Sequence, residues 1–333
     1  MIYKNIKEIN DKIRELCDKK SKEYDLLVDG NTLTLSTSTP NSGSYYDYLK
    51  SVIETSLNNF LKDTKFPYRP SATTYNTTSD YISSLNSDET WITYDSSSNK
   101  ATISNVGSFV KHCKTPTKDV GAFDGLSRSQ TENSLFGTNS TYQKLHFDKY
   151  ISELLTTNEN TYSELTGWFS SYTSDFASDL QEKDLLGKTV LVRSDMYNPL
   201  YYLLNYYDGY KKSNVASYFR INSGIKQGDT GNVVEMNLAL ALKNYGKNVE
   251  FTTVWDQGHV TAERGGSNYS TDNFINWVAQ CMGVDPSDSS DSSDPSNPSD
   301  SSNPSGSSGS SDSSSIYVDC SFIYVFLFIG ILL

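Results

Sequence analysis

The chain has 333 residues with a formal net charge of -12 and a pI near 4.7. That balance argues against nucleic-acid binding, which rests on basic patches that neutralise phosphates. The length suits one large domain or two small ones, each with material for a core. Four cysteines without CxxC spacing and no glycine-rich phosphate loop exclude a zinc or redox motif and a nucleotide site, so neither metal nor cofactor is expected.

In chain order, residues 1–27 open with Ile2, Ile6, Ile9, Ile13 and Leu16 at helical spacing, an amphipathic charged helix rather than the apolar core of a secretion signal. An Asp29-Gly30 turn before NTLTL predicts a hairpin or short strand. Residues 45–62 place Tyr48, Val52, Ile53, Leu57 and Phe60 on one face and predict a helix. WITYD and KATISNV suggest a small hairpin. Residues 114–137 read as a long surface loop of the kind that lines binding sites. Helical segments are expected over 146–155 and 162–180.

After Gly187 the pattern changes. KTVLVRSDM is expected as a strand, PLYYLLNYY as a short helix and VASYFRINSGI as a strand. TGNVVEMNLALALKNYG follows as a helix stopped by Gly246, then NVEFTTVWD as a strand and TDNFINWVAQCM as a closing helix. Asp229 follows the first of the last two strands and His259 the second. Strand, acid loop, helix, strand, histidine loop, helix is how an α/β-hydrolase sheet ends. The expected fold class is therefore α/β: the C-terminal part of an α/β-hydrolase sheet. Residues 1–283 form the partial domain, with about 30–186 as a large inserted lid and 187–283 as the last strands and helices.

A carboxylate and an imidazole at the ends of those strands are two members of a hydrolase triad. On spacing alone, a turn carboxylate in a QGDTG bend and an ordinary loop histidine remain open alternatives. No G-x-S-x-G elbow occurs in the chain. Gly43-Ser44, Gly107-Ser108 and Gly266-Ser267 lack the second glycine of that elbow, and Ser127 lacks a preceding strand. His112 and His146 have no paired carboxylate or Cys spacing for a metal and read as surface or core residues. Glu263 and Arg264 are expected to cap or pair within the histidine loop, and Trp255 to form core or site wall. Tyr197, Tyr201, Tyr202, Tyr206, Tyr207 and Tyr210 read first as packing, with an aromatic wall for a phenolic acyl group as the alternative. Cys113 and Cys281 are the preferred pair should a disulfide form, although buried thiols suit the sequence equally well.

Residues 284–315 are nearly all Ser, Asp, Pro, Asn and Gly, too polar to offset chain entropy by burial, and read as a disordered stalk. Residues 316–333 end in an apolar run too short to span a bilayer, with small residues and a polar spacer before it. This is the pattern of a GPI-anchor signal, with a tail anchor as the alternative. The globular part is thus expected on the extracellular face, tethered through its C-terminus. Sequons at Asn76, Asn139 and Asn268 agree with that location but arise by chance in so Asn-, Ser- and Thr-rich a chain.

FRINSGIKQGDTGNVVEMNLALAL, VEFTTVWDQGHVTAER, DMYNPLYYLLNYYDGY and GAFDGLSRSQTENSLFG together resemble the tannase and feruloyl-esterase-like carboxylesterases of the α/β-hydrolase superfamily. The resemblance covers residues 1–282 and is strongest after Asp195. It implies a triad in the order Ser, Asp, His, with Asp229 and His259 at the second and third positions and the nucleophile in an elbow upstream of the lid. The implied substrate is an aromatic or small-acid ester, such as a plant phenolic ester. An anchor signal without an export signal, and a lid without a preceding sheet, lead to the expectation that an N-terminal half bearing the serine lies before residue 1. The chain alone is then expected to be inactive. A non-catalytic, surface-displayed binding protein is the alternative, and a serine peptidase of the same fold a weaker one.

Overall fold

The computed structural model describes residues 26–34, 36, 39, 41–113, 134–135, 145–147, 149–164, 168–228, 231–266 and 269–284. The expected amino-terminal helix, most of the loop over 114–137, the stalk and the apolar tail lie outside the described residues. The chain divides into two units, one reaching Ser270 and the next starting at Thr271.

A hairpin of β1 (Leu27–Val28) and β2 (Asn31–Thr32) opens the first unit. Its turn holds Asp29 and Gly30 at φ 51° and 78°, the left-handed pair that a two-residue turn requires and Asp-Gly tolerates. Helix α1 (Ser44–Asp63) buries Ile53, Ser56, Leu57 and Leu61, one stripe at helical spacing. Helix α2 (Thr78–Leu85) starts on a reciprocal capping box between Thr77 and Asp80. Strands β3 (Ile92–Asp95) and β4 (Lys100–Ile103) pair antiparallel as the expected hairpin, and α3 (Val106–Cys113) follows.

Polar side chains seam these pieces together. Asn58 on α1 donates to the Ala101 carbonyl and accepts from the Ala101 N–H, both at 2.8 Å. Glu54 accepts from the Ile103 N–H at 2.9 Å. The Ser56 hydroxyl donates to the Thr253 carbonyl at 2.6 Å, which ties α1 to the main sheet. Beneath them, Ile53, Leu57, Trp91, Ile92, Phe109, Ile225 and Trp255 form one buried cluster, so residues 44–113 pack directly against the strands that carry the candidate site. Cys113 is buried in this cluster as a thiol, and the disulfide with Cys281 is not made.

A second cluster, of Leu145, Leu180 and Val190, gathers β6 (Leu145–His146), paired antiparallel with β5 (Ser134–Leu135). Helices α4 (Lys149–Tyr162) and α5 (Tyr172–Asp179) accompany it, so the helix expected over 146–155 starts later and runs further, and that expected over 162–180 is shortened. The strand expected over residues 188–196 is instead helix α6 (Val190–Tyr197). Its apolar run suggested a buried strand, but only Val190 is fully buried, while Val192 and Met196 share an exposed face four residues apart. The Thr189 hydroxyl caps its first turn. Asn198 then caps α7 (Pro199–Leu203), with Pro199 at its first position.

The centre of the first unit is a βαβ element. Strand β7 (Tyr218–Gly224) pairs parallel with β8 (Asn248–Val254), in a register that sets Tyr218 opposite Asn248 and Gly224 opposite Val254. Burial rises along both strands towards their carboxyl ends. The crossover helix α8 (Asn232–Asn244) buries Met236, Leu238, Ala239, Leu240, Ala241 and Leu242. It stops where Gly246 takes φ 85°. There the Gly246 N–H donates to the Lys243 carbonyl and the Lys247 N–H to that of Leu242, a paired C-terminal closure that favours glycine. Helix α9 (Ser270–Cys281) leads into the second unit and has no buried residue. Among the described residues no helix is long and apolar enough to cross a membrane.

Candidate active site

Parallel strands joined by a crossover helix present their two carboxyl-end loops side by side. Here residues 225–228 follow β7, and the loop after β8 runs through residues 255–264. His259 is exposed on the second loop; Asp229 lies outside the described residues. The Ile225 N–H donates to the Val254 carbonyl at 3.0 Å and the Lys226 N–H to the Gln257 carbonyl at 2.9 Å, so the ladder continues past the strand ends into both loops. At Gly224 the loops approach so closely that a Cβ would lie 2.1 Å from the Gly258 carbonyl oxygen. Glycine is required there for space rather than for its φ.

Beyond that contact, the Lys226 ammonium pairs with the Asp256 carboxylate. The second carboxylate oxygen of Asp256 accepts from the Tyr68 hydroxyl at 2.5 Å. Asp256 holds φ 63°, a left-handed conformation that Asp and Asn adopt more readily than other side chains. Burial, then the hydrogen bond to Asp256, pushes the Tyr68 pKa well above the usual tyrosine value. Tyr81 is raised as well, by burial first and the Asp256 charge second. Its hydroxyl accepts from the Trp255 indole at 2.9 Å, which places Trp255 in the core under the loop.

The histidine loop is closed by one side chain. Gln257 donates to the Glu263 carbonyl at 2.8 Å and accepts from the Glu263 N–H at 3.1 Å, enclosing residues 258–262. Glu263 is buried and binds Arg220 of β7 in a two-pronged pair at 2.9 and 3.0 Å; Arg220 also reaches Glu250 at 2.8 Å. Burial opposes its charge, but Glu250 and Glu263 hold the Arg220 guanidinium above its usual pKa. The Glu263 side chain thus pairs with the sheet, whereas its main chain pairs with Gln257 inside the loop, where the sequence suggests that the residue caps or pairs. Arg264 likewise leaves the loop and reaches Asp63 of α1 at 2.8 and 3.0 Å. On the acid side, Gln227 and Ser223 both donate to Glu235 of α8, at 2.9 and 3.1 Å, which anchors the start of the Asp229 loop to the crossover helix.

Lys226, Asp256, Gln257 and the Arg220–Glu263 pair escaped sequence reasoning. One signal was available: Lys226 and Asp256 each stand two residues past a register-paired strand end, so opposite charges at equal offsets should meet. The other two histidines differ from expectation in having a carboxylate beside them, although the burial of His146 suits the expected core position. His146 is buried and bonds through Nδ1 to Asp179 at 2.8 Å, its ring stacked on Phe176 at 3.8 Å between centroids. His112 stacks on Trp91, with Glu89 3.8 Å from its Nε2. Both therefore have a carboxylate neighbour, supplied by the fold rather than by local sequence. Ser108 is buried and donates to Glu89 at 2.9 Å, whereas Ser44 accepts from the Thr34 N–H; Ser127 and Ser267 lie outside the described residues. Tyr201 packs edge to face on Tyr202 and Tyr206 on Tyr207, whereas Tyr210 packs edge to face on Tyr245. Among the described residues no cluster of His, Cys, Asp and Glu suits a metal ion.

No family model matches the chain, and no curated protein matches it significantly. Solved structures do. The structure is similar to that of Fusobacterium nucleatum tannase, with 26% sequence identity and a TM-score of 0.54, over 82% of this chain and 46% of that one. It is also similar to the native structure of tannin acyl hydrolase from Lactobacillus plantarum, at 22% identity and a TM-score of 0.51, over 79% of this chain and 44% of that one. The chain therefore spans just under half the length of either neighbour and has a partial tannase-like fold.

Proposed function

We propose that this partial tannase-like fold carries the acid and base of a serine carboxylesterase site for esters of phenolic or small acids, with Asp229 orienting His259. The observation that supports the reading is the parallel β7–β8 pair, whose pairing continues from Ile225 and Lys226 to Val254 and Gln257, just ahead of the sequence positions of Asp229 and His259. The likeness to Fusobacterium nucleatum tannase supports an esterase-like hydrolase.

In such a site Asp229 accepts from one imidazole nitrogen and fixes the tautomer, leaving the other nitrogen of His259 to act on a serine hydroxyl. His259 takes that proton as the serine attacks the ester carbonyl, then returns it to the departing alcohol. The sequence offers no G-x-S-x-G elbow for the nucleophile, so the chain by itself is assigned the acid–base part of the reaction and no turnover. The same feature favours a second reading, in which the domain binds phenolic esters without cleaving them.

The test is fluorophosphonate labelling of the protein isolated from its natural source, alongside hydrolysis of hydroxybenzoate and hydroxycinnamate esters. Labelling with ester turnover that His259→Asn abolishes supports the esterase. A protein that retains phenolic esters on equilibrium dialysis but takes no label is the binding protein. Cleavage of peptide amides in place of esters would move the assignment to a peptidase.

A further inference from the structure

We infer that the turn carrying Leu185 and Leu186 is a contact site for an anionic lipid surface, with the two leucines entering the interface and Lys183 and Lys188 meeting the headgroups. The inference is independent of the esterase reading and rests on residues 182–193. In the run KDLLGK the central positions of a tight turn are both leucine, where Gly, Pro, Asn, Asp or Ser is the usual choice. Leu185 is 88% exposed and Leu186 82%, so neither serves the core of this chain. Large apolar side chains left side by side in water mark a contact site more often than a single exposed leucine does.

The turn is built to hold them there. The Asp184 N–H donates to the Lys188 carbonyl and the Gly187 N–H to the Asp184 carbonyl, both at 2.9 Å. With Gly187 at φ 72° this makes a three-residue hairpin loop closed by a left-handed glycine. One carboxylate oxygen of Asp184 accepts from the Leu186 N–H at 2.9 Å and the Lys188 N–H at 2.8 Å. The other lies 3.7 Å from Arg193 of α6. At the base, the Val190 N–H donates to the Glu182 carbonyl at 3.1 Å, and Val190 is buried with Leu145 and Leu180. The backbone under the leucines is thus fixed before anything covers them, which lowers the entropy cost of contact.

Charge decides for a lipid surface as the occupant. Lys183 and Lys188 flank the turn, both are exposed, and among the described residues neither is in an ion pair. Asp184 is engaged by the turn and by Arg193, so Glu182 is the one acid of the hairpin left to oppose them. Apolar side chains at the crown with ammonium groups at the base match the order of an anionic interface, acyl chains within and phosphates outside. The net charge of the whole chain, -12, acts on this contact only through groups within a Debye length of about 8–10 Å.

The experiment is flotation of the full chain with vesicles of phosphatidylcholine, with and without phosphatidylserine. Every variant keeps the apolar C-terminal run, so any membrane affinity of that run is common to all. Leu185→Ser/Leu186→Ser is expected to lower partition by at least about tenfold. Lys183→Gln/Lys188→Gln is expected to lower it by roughly fivefold per lysine on phosphatidylserine vesicles and to leave it unchanged on phosphatidylcholine alone. Leu186→Trp reports the tip itself: in the bound chain its fluorescence, taken as the difference from the natural chain, is expected to be quenched by brominated phosphatidylcholine. Undiminished partition of the serine variant, no vesicle binding, or a bound chain whose added tryptophan escapes quenching would each overturn the proposal. So would an added tryptophan already shielded without lipid, which would place a protein surface, such as a second copy, over the tip. Should the serine variant fail to fold, Leu185→Asn puts a turn-favoured residue in the loop and is expected to lower partition by roughly threefold; undiminished partition there would again overturn it.

Discussion

The close approach at Gly224 makes a prediction that separates two roles of glycine within one domain. In Gly224→Ala the new methyl would stand 2.1 Å from the Gly258 carbonyl oxygen, 2.7 Å from that of Gln257 and 2.8 Å from the Gln257 carbonyl carbon. All three are backbone atoms of the histidine loop, and none can rotate away. The shortest of these distances is about 1 Å less than an ordinary carbon–oxygen contact of roughly 3.3 Å. The loop must therefore lift from the strand end, which strains the Lys226–Gln257 and Ile225–Val254 hydrogen bonds. Overpacking of this kind costs about 3 kcal/mol, or roughly 6–12 °C in Tm for a domain of this size. Gly246→Ala is the control: its Cβ meets nothing within 4 Å, so only the left-handed backbone at φ 85° is penalised, at about 1–2 kcal/mol. Urea unfolding followed by tryptophan fluorescence measures both, with buried Trp255 beside the altered contact as the reporter. Equal stability of the two variants would refute the claim that the loops touch through Gly224.

Three further outcomes follow from the same structure. Glu263→Ala leaves the Arg220 guanidinium half-paired against the sheet and is expected to cost about 3 kcal/mol, whereas Glu250→Ala, at an exposed carboxylate, should cost under about 1 kcal/mol; urea midpoints compare them. Tyr68 and Tyr81 hold their protons more tightly folded than unfolded, so the stability they contribute is intact below the unfolded tyrosine pKa of about 10 and declines as pH rises above it. Alkaline difference absorbance should show late-titrating phenols, with one fewer in Tyr68→Phe. Asp179→Ala removes the acceptor of both the His146 N–H and its Nδ1 and is expected to cost about 3 kcal/mol; Asp179→Asn, which still offers one acceptor oxygen, should cost less, as thermal melts would show.

What could be read from the sequence was what depends on neighbours along it. The β7–α8–β8 element was legible because a short β-rich run, a helical apolar stripe and a stopping Gly246 occur in that order. The Asp29-Gly30 hairpin announced itself through its turn residues, and α1 through its stripe. The run Val190-Leu191-Val192 misled because local β-propensity does not reveal which residues find a core, and here Val190 is buried, Leu191 packs beside it and Val192 is exposed. The His146–Asp179 pair joins residues 33 apart in sequence, and Arg220–Glu263 joins residues 43 apart. No local pattern encodes such contacts. Asp229 and His259 were picked out because each follows an expected strand, but the Lys226–Asp256 ion pair could be placed only with the register of those strands.

The seam between α1 and β4 has another consequence. A strand on the outside of a small sheet presents unsatisfied amides and carbonyls to any passing chain, and a four-residue hairpin is a ready template for pairing between molecules. Asn58 and Glu54 occupy those groups at Ala101 and Ile103 with side chains of the covering helix. The helix thus works as a guard that closes the hairpin to recruitment. Asn58→Leu would keep the packing and reopen the edge, so its first symptom should be concentration-dependent association.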